Sequence, residues 1–283
     1  MKKLCSILLA FCMATGLPAL TVIPAVAEEI ANPYEPPANL DELSQAEQLA
    51  YFNLVVNRVR EKKPGFRQVE ILQITSFRTS IAGGAADGLV NGVVKKLMPG
   101  DPQVLSIAPG QTNVGRFMSE NANASDLRLE DIISISSTKE GDNWVIGLLI
   151  KEELNPAKGL SSAHCRIMPI ATRDQIVAEL AKAGVTANVA DATIRYYESY
   201  ANITVNDQGK VILAGNGFQV DAQANNVKIA MFNMNVGVAQ NSKWQCSDFD
   251  WDTVPEVKWW ENLPGIVQWI LRWVFFGWIW MGG

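Results

Sequence analysis

The single histidine of this 283-residue chain, His164, is followed directly by Cys165. A Cys–His pair yields a thiolate nucleophile only when the two side chains reach each other. Neighbours on a strand point to opposite faces, so the pair reads as a surface or satisfied core histidine beside a thiol. Asp248, Asp250 and Asp252 alternate with Phe249 and Trp251, which on a strand sets three carboxylates on one face. Asp-x-Asp-x-Asp is how a calcium loop begins, but Thr253 stands where that loop needs glycine and Trp259 where it needs a bidentate glutamate. The simpler expectation is an edge strand with aromatics inward and charges outward, which deters edge pairing, with calcium as the alternative. A hydrolase built on two carboxylates has many acids to draw from, 29 Asp and Glu, but nothing selects a pair. The chain has no GxSxG, no Gly-rich phosphate loop and no HExxH. These residues predict neither catalysis nor a cofactor.

The balance of 24 basic against 29 acidic residues, formal charge −5, excludes a basic nucleic-acid surface. Asn123-Ala-Ser125 and Asn202-Ile-Thr204 fit the glycosylation triplet, which matters only on a eukaryotic secretory route.

Both ends bear on location. Lys2 and Lys3, the apolar run Leu4–Leu17 and the small residues Ala25-Val26-Ala27 predict a secretory signal over 1–27. Residues 28–40, with Pro33, Pro36 and Pro37, read as an extended leader. At the other end, residues 257–283 hold six of the nine tryptophans. Lys258, Glu261, Gln268 and Arg272 fall along one stripe of a helix, and Trp269, Trp273, Phe276 and Trp280 along another. The expectation is a hydrophobic C-terminal helix lying in or tilted into the membrane interface. There Trp259, Trp260, Trp269, Trp273, Phe276, Trp278 and Trp280 would meet acyl chains, and Lys258 and Arg272 lipid phosphates. A full span and a tail folded back onto the protein are the alternatives. The stretch between the ends holds 20 basic and 28 acidic residues, so only the tail is suited to an anionic membrane. Two cysteines survive removal of the signal, Cys165 and Cys246. Export permits a disulfide between them, and buried free thiols are the alternative.

Residues 41–256 read as one α+β domain, N-terminal helices packed on a twisted antiparallel sheet, with the C-terminal helix separate. Leu43, Ala46, Leu49, Phe52, Val56 and Val59 predict a helix from Asp41 to about Lys62, stopped by Lys63-Pro64-Gly65. A second, glycine-containing helix is expected over Ser80–Leu97, and a third over Thr172–Ala183. Phe66–Phe77 reads as a strand, and Asp131–Thr138 with Asn143–Glu152 as a hairpin whose second arm is apolar on both faces and central. The meander after Ala192 is expected to comprise Tyr200–Val205, Lys210–Val220, Val227–Val238 and Trp244–Trp251. Residues 101–124 show no clear element.

Tyr51-Phe52-Asn53, Val56-Asn57-Arg58-Val59-Arg60 and Lys63-Pro64-Gly65-Phe66 resemble the opening helix of uncharacterised exported proteins of anaerobic Gram-positive bacteria. Ser125-Asp126, Gly141-Asp142-Asn143-Trp144-Val145-Ile146 and Asn202-Ile203-Thr204-Val205 fit the same pattern. The segments Trp260–Pro264, Gln268–Arg272 and Phe276–Met281 resemble a C-terminal element of such proteins. The resemblance implies a secreted or surface setting and a portable anchoring tail; it supplies no activity, cofactor or catalytic residue. The functional expectation is an exported, non-catalytic domain displayed at the cell envelope, with membrane lipid as the tail's partner and a further envelope or extracellular partner for the body. A carrier of a lipid or other apolar molecule, with a cavity under the sheet, is the alternative.

Overall fold

Ser44 starts the first helix. Its hydroxyl accepts from the Glu47 backbone N–H at 3.4 Å, and the Glu47 carboxylate accepts the Ser44 N–H at 3.0 Å. This capping box satisfies two helix-end donors, so the helix, α1, runs Gln45–Lys62 and not from Asp41. Lys63, in the left-handed region at φ 50°, closes it by donating to the Val59 carbonyl. Leu49, Phe52, Val55, Val56 and Val59 lie within 3% of full burial along one face. That stripe is what the helix offers to a sheet.

The computed structural model describes residues 32–80, 102–110, 117, 125–159, 161–168, 170–182, 184–229 and 232–253. The chain divides into two units, Met1–Pro33 and Tyr34–Gly283, and every element below belongs to the second. Its strands are β1 (Gly65–Thr79), β2 (Gln103–Ile107), β3 (Ile132–Glu140), β4 (Asn143–Ile150), β5 (Glu153–Leu154), β6 (Val185–Thr186), β7 (Ala192–Val205), β8 (Val211–Ile229) and β9 (Phe232–Asp250). Two further helices are α2 (Ala163–Ile167) and α3 (Arg173–Lys182).

All nine strands form one antiparallel sheet in the order β2-β1-β9-β8-β7-β4-β3, with β5 on β7 and β6 on β8. Register assigns the faces. Ile146, Ile203, Ala214, Cys246 and Gln68 are successive partners across β4, β7, β8, β9 and β1, and each is at most 5% exposed. This inner face joins α1 in a single buried cluster. On the outer face Leu149, Tyr200, Gly217, Lys243 and Ile71 form the matching row, with Leu149 and Ile71 exposed.

Polar residues on α1 fix its seat. Asn57 accepts from the Ser125 N–H at 2.7 Å and donates to the Ser125 carbonyl at 2.9 Å, while Asn53 accepts from the Ser125 hydroxyl and donates to the Leu127 carbonyl. Gln48 is buried and accepts from Ser137 of β3 at 2.8 Å. Arg58 donates to the carbonyls of Gln208 and Gly209 and stacks over Tyr34 and Trp251.

The expected α+β class with several N-terminal helices is overturned. One nine-stranded antiparallel sheet dominates the described residues, α1 is the single long helix among them, and α2 and α3 span 5 and 10 residues. The meander is corrected too. Where three strands were expected between Lys210 and Trp251, two strands of 19 residues run. Asn225-Asn226 and Asn241-Ser242 resemble turns in composition. Here the first is a bulge, with Asn226 at φ 55°, and the second lies within the β9 ladder. Edge strand β2 falls where no element was expected. The signal over 1–27, the second helix beyond Ser80 and the C-terminal helix lie outside the described residues.

Candidate functional site

The inner face carries its chemistry where β7 is irregular. Pairing with β8 runs to Tyr197↔Gln219 and resumes at Tyr200↔Gly217, so β7 holds one extra residue. Glu198 takes the left-handed conformation, φ 48°, and Ser199 turns into the core, 2% exposed. A bulge of this kind re-aims a side chain that strict alternation would place outside.

Ser199 meets His164. The Ser199 Oγ lies 2.7 Å from His164 Nε2, and His164 Nδ1 lies 2.5 Å from the Glu153 carboxylate. Glu153 also accepts the backbone N–H groups of Ala163 and His164 and the hydroxyl of Ser162. Burial pushes its pKa up, but the hydrogen bonds from His164 and Ser162 outweigh that and bring it down to about 2. With Nδ1–H given to the carboxylate, a neutral imidazole would accept from Ser199 at Nε2. The order serine, histidine, acid is that of a nucleophile, a base and its orienting group.

The exposure of the three groups runs the wrong way for such a relay. The Glu153 side chain is 22% exposed and that of His164 is fully buried, and Ser199, on the strand itself, is 2% exposed. A hydrolase needs its nucleophile at the substrate side. The arrangement instead clasps α2 to β7. The carboxylate caps the short helix at one end, and Arg166, 6% exposed, holds Asp131 at 2.5 Å and Asp126 at 3.5 Å on the other side.

From His164 a line of rings crosses the inner face: Tyr196 of β7 at 5.3 Å, Phe218 of β8 at 5.1 Å from Tyr196, and Trp244 of β9 at 5.2 Å from Phe218. The Tyr196 hydroxyl is satisfied by the Ala171 carbonyl and N–H, both at 2.9 Å. Beyond Trp244 the face turns polar. Gln68, Glu70 and Ser242 are buried, and Gln240 donates to Ser242 at 2.6 Å. Gln68 Nε2 and Trp244 Nε1 are buried donors that find no acceptor among the described residues.

The residues singled out from the sequence fare differently. Cys165 on α2 and Cys246 on β9 are both buried and no disulfide joins them, and burial pushes the Cys246 thiol up to about 12. The alternation of the three aspartates breaks. Asp248 sits at φ 56°, β9 stops at Asp250, and Asp252 lies beyond it. Asp250 accepts from the N–H groups of Asp252 and Thr253 and from the Thr253 hydroxyl, and Asp252 faces Lys210 at 3.5 Å. These carboxylates close a turn. Among the described residues no group of His, Cys, Asp and Glu is placed to hold a metal, and no helix is long and apolar enough to cross a membrane. Lys258, Trp259, Trp260, Trp269, Arg272, Trp273, Phe276, Trp278 and Trp280 lie outside the described residues.

Sequence reading passed over Glu153, Ser199, Gln68 and Trp244. Ser199 alternates outward unless the bulge at Glu198 is known, and a glutamine in an apolar strand carries no signal of its own. Comparison with protein-family models, with curated proteins and with solved structures finds no match.

Proposed function

We propose that this chain is an exported binding domain held at the cell envelope by its Trp-rich tail, and that the inner face of its sheet takes an apolar small molecule. The observation that carries the reading is the pair of buried donors, Gln68 Nε2 and Trp244 Nε1, without acceptors among the described residues at the end of a line of aromatic rings. An orphaned buried donor costs roughly 1–3 kcal/mol, and a bound acceptor removes that cost. Export and tethering are supported by the signal-like residues 1–27, the tail 257–283 and the resemblance to exported proteins. The body has no catalysis of its own in this reading, because Ser199, at the nucleophile's place in the relay, is buried.

Isoleucine methyl resonances separate the places an apolar probe can go. Addition of diphenylhexatriene to the full chain is expected to shift Ile146, Ile194 and Ile203, which line the inner face at 0–1% exposure. Shifts confined to Ile266, Ile270 and Ile279 of the tail, or no shifts, would overturn the binding-face reading.

A further inference from the structure

Strand register sets a thiol against a carboxamide. Gln68 of β1 and Cys246 of β9 are direct cross-strand partners, and both are buried on the inner face, 1% and 5% exposed. Residues opposed in this way hold their Cβ atoms about 4.5–5.5 Å apart. The Gln68 Cδ stands two bonds beyond its Cβ and the Cys246 Sγ one bond beyond its own. Side-chain rotation alone is enough to bring the carboxamide carbon and the sulfur together.

The surroundings of the pair favour a bond between them. Gln68 Nε2 is a buried donor without an acceptor among the described residues, and that unmet donor costs free energy for as long as the NH2 group is present. Ala214 and Ile203 follow Cys246 along the same row of the sheet, each 1% exposed. They keep out the water that would hydrolyse an acyl–sulfur bond.

We propose that Gln68 and Cys246 form an internal thioester, a covalent tie between β1 and β9. Cys246 Sγ adds to Gln68 Cδ, the Cδ–Sγ bond forms as the Cδ–Nε2 bond breaks, and the thiol proton leaves with the nitrogen as ammonia. No oxidant or reductant takes part. A buried NH2 group and a thiol are replaced by a thioester that has nothing to donate, and the escape of ammonia draws the exchange forward. Burial pushes the thiol up to about 12, which keeps it protonated and makes closure slow. The same burial makes the sulfur a poor leaving group once the bond exists. Closure therefore follows folding. The tie goes beyond the binding-face reading and does not rest on it: Trp244 Nε1 remains a donor for a bound molecule, and the isoleucine methyls report on that binding separately.

Peptide mapping of the full chain, stored at neutral pH and then unfolded in guanidinium at mildly acidic pH with N-ethylmaleimide, tests the bond. Cys165, the other buried cysteine, is the internal standard and should be labelled, while Cys246 should not. The peptides that carry Gln68 and Cys246 should appear joined, at their summed mass less one ammonia. Methylamine at alkaline pH should part them, leaving an N-methylamide on Gln68 and a Cys246 thiol that takes the label. Gln68→Met and Cys246→Ala should each abolish the joined species. Should either variant fail to fold, the map of the wild-type chain still decides.

Labelling of Cys246 to the same extent as Cys165, with no joined peptide, would overturn the thioester and leave the binding face standing. A methylamine-sensitive block on Cys246 that persists in Gln68→Met would overturn it too, since the sulfur would then hold a different acyl group.

Discussion

At the residue scale the clasp on α2 is the most exacting feature of the inner face. Glu153 takes four hydrogen bonds through one carboxylate. Its pKa is depressed from 4.5 to about 2 in the fold. A carboxyl of this kind contributes stability that is complete above its unfolded value and is lost as pH falls through the folded one. Urea titrations should therefore show stability declining between about pH 4.5 and pH 2, and Glu153→Ala should flatten that decline. The same variant strands the Ser162 hydroxyl, two backbone N–H groups and a buried imidazole, at a cost of about 2–4 kcal/mol near neutral pH. Ser199 should stay unlabelled by a fluorophosphonate in the folded protein; labelling would make it a nucleophile after all. Gly209 offers a test of a different kind. It sits at φ 69°, and a Cβ there would lie 1.8 Å from the Tyr34 carbonyl oxygen. Gly209→Ala should therefore lower the thermal midpoint by several degrees and disturb the seat of Arg58, which bonds the Gly209 carbonyl.

At the scale of elements, α1 is held by its ends and by side chains that bond distant chain. Lys63 closes the helix from the left-handed region, where glycine is the favoured residue. Lys63→Gly should stabilise the protein by about 0.5–1 kcal/mol, read from the denaturation midpoint. Asn57 exchanges two hydrogen bonds with the Ser125 backbone. Asn57→Ala should cost about 1–3 kcal/mol by leaving that N–H and carbonyl without their partner. In the fold the Asn53, Asn57 and Arg58 side chains lock this helical segment onto distant chain. That segment is an assembly device, and the inner-face donors come from β1 and β9 instead.

At the scale of the whole molecule, the proposed function divides location and binding between different parts of the chain. The body carries 20 basic and 28 acidic residues, and its net negative charge repels anionic lipid. In the proposed function attachment therefore falls to the tail. Cells expressing the full chain should retain it in the membrane fraction through a high-salt wash, while a chain ending at Glu256 should be released. Equal release of both would place the tail within the fold of the body and remove the tether from the proposed function. Inner-face binding, read from Ile146, Ile194 and Ile203, is expected to survive the truncation, since none of its residues lies beyond β9.

What was legible in the sequence was whatever rests on local pattern. The stripe Leu49, Phe52, Val56, Val59 places α1 within a few residues, and Gly141-Asp142 places the β3–β4 turn, because amphipathic periodicity and turn chemistry act over a few neighbours. The fold class was misread for the converse reason. Asn225-Asn226 and Asn241-Ser242 are polar pairs that local chemistry assigns to turns, yet β8 passes the first as a bulge and ladder pairs with both neighbouring strands hold β9 through the second. Cys165 and Cys246 could be named as candidates for pairing, but whether two thiols meet depends on backbone placement, and no disulfide joins these two. The site depended most on tertiary structure. One extra residue at Glu198 turns Ser199 from the outer face to His164, and register alone makes Gln68 and Trp244 neighbours across more than 170 residues of chain. Sequence determines which groups can donate, accept or ionise. Which of them are left facing one another without water is set only when the strands pair.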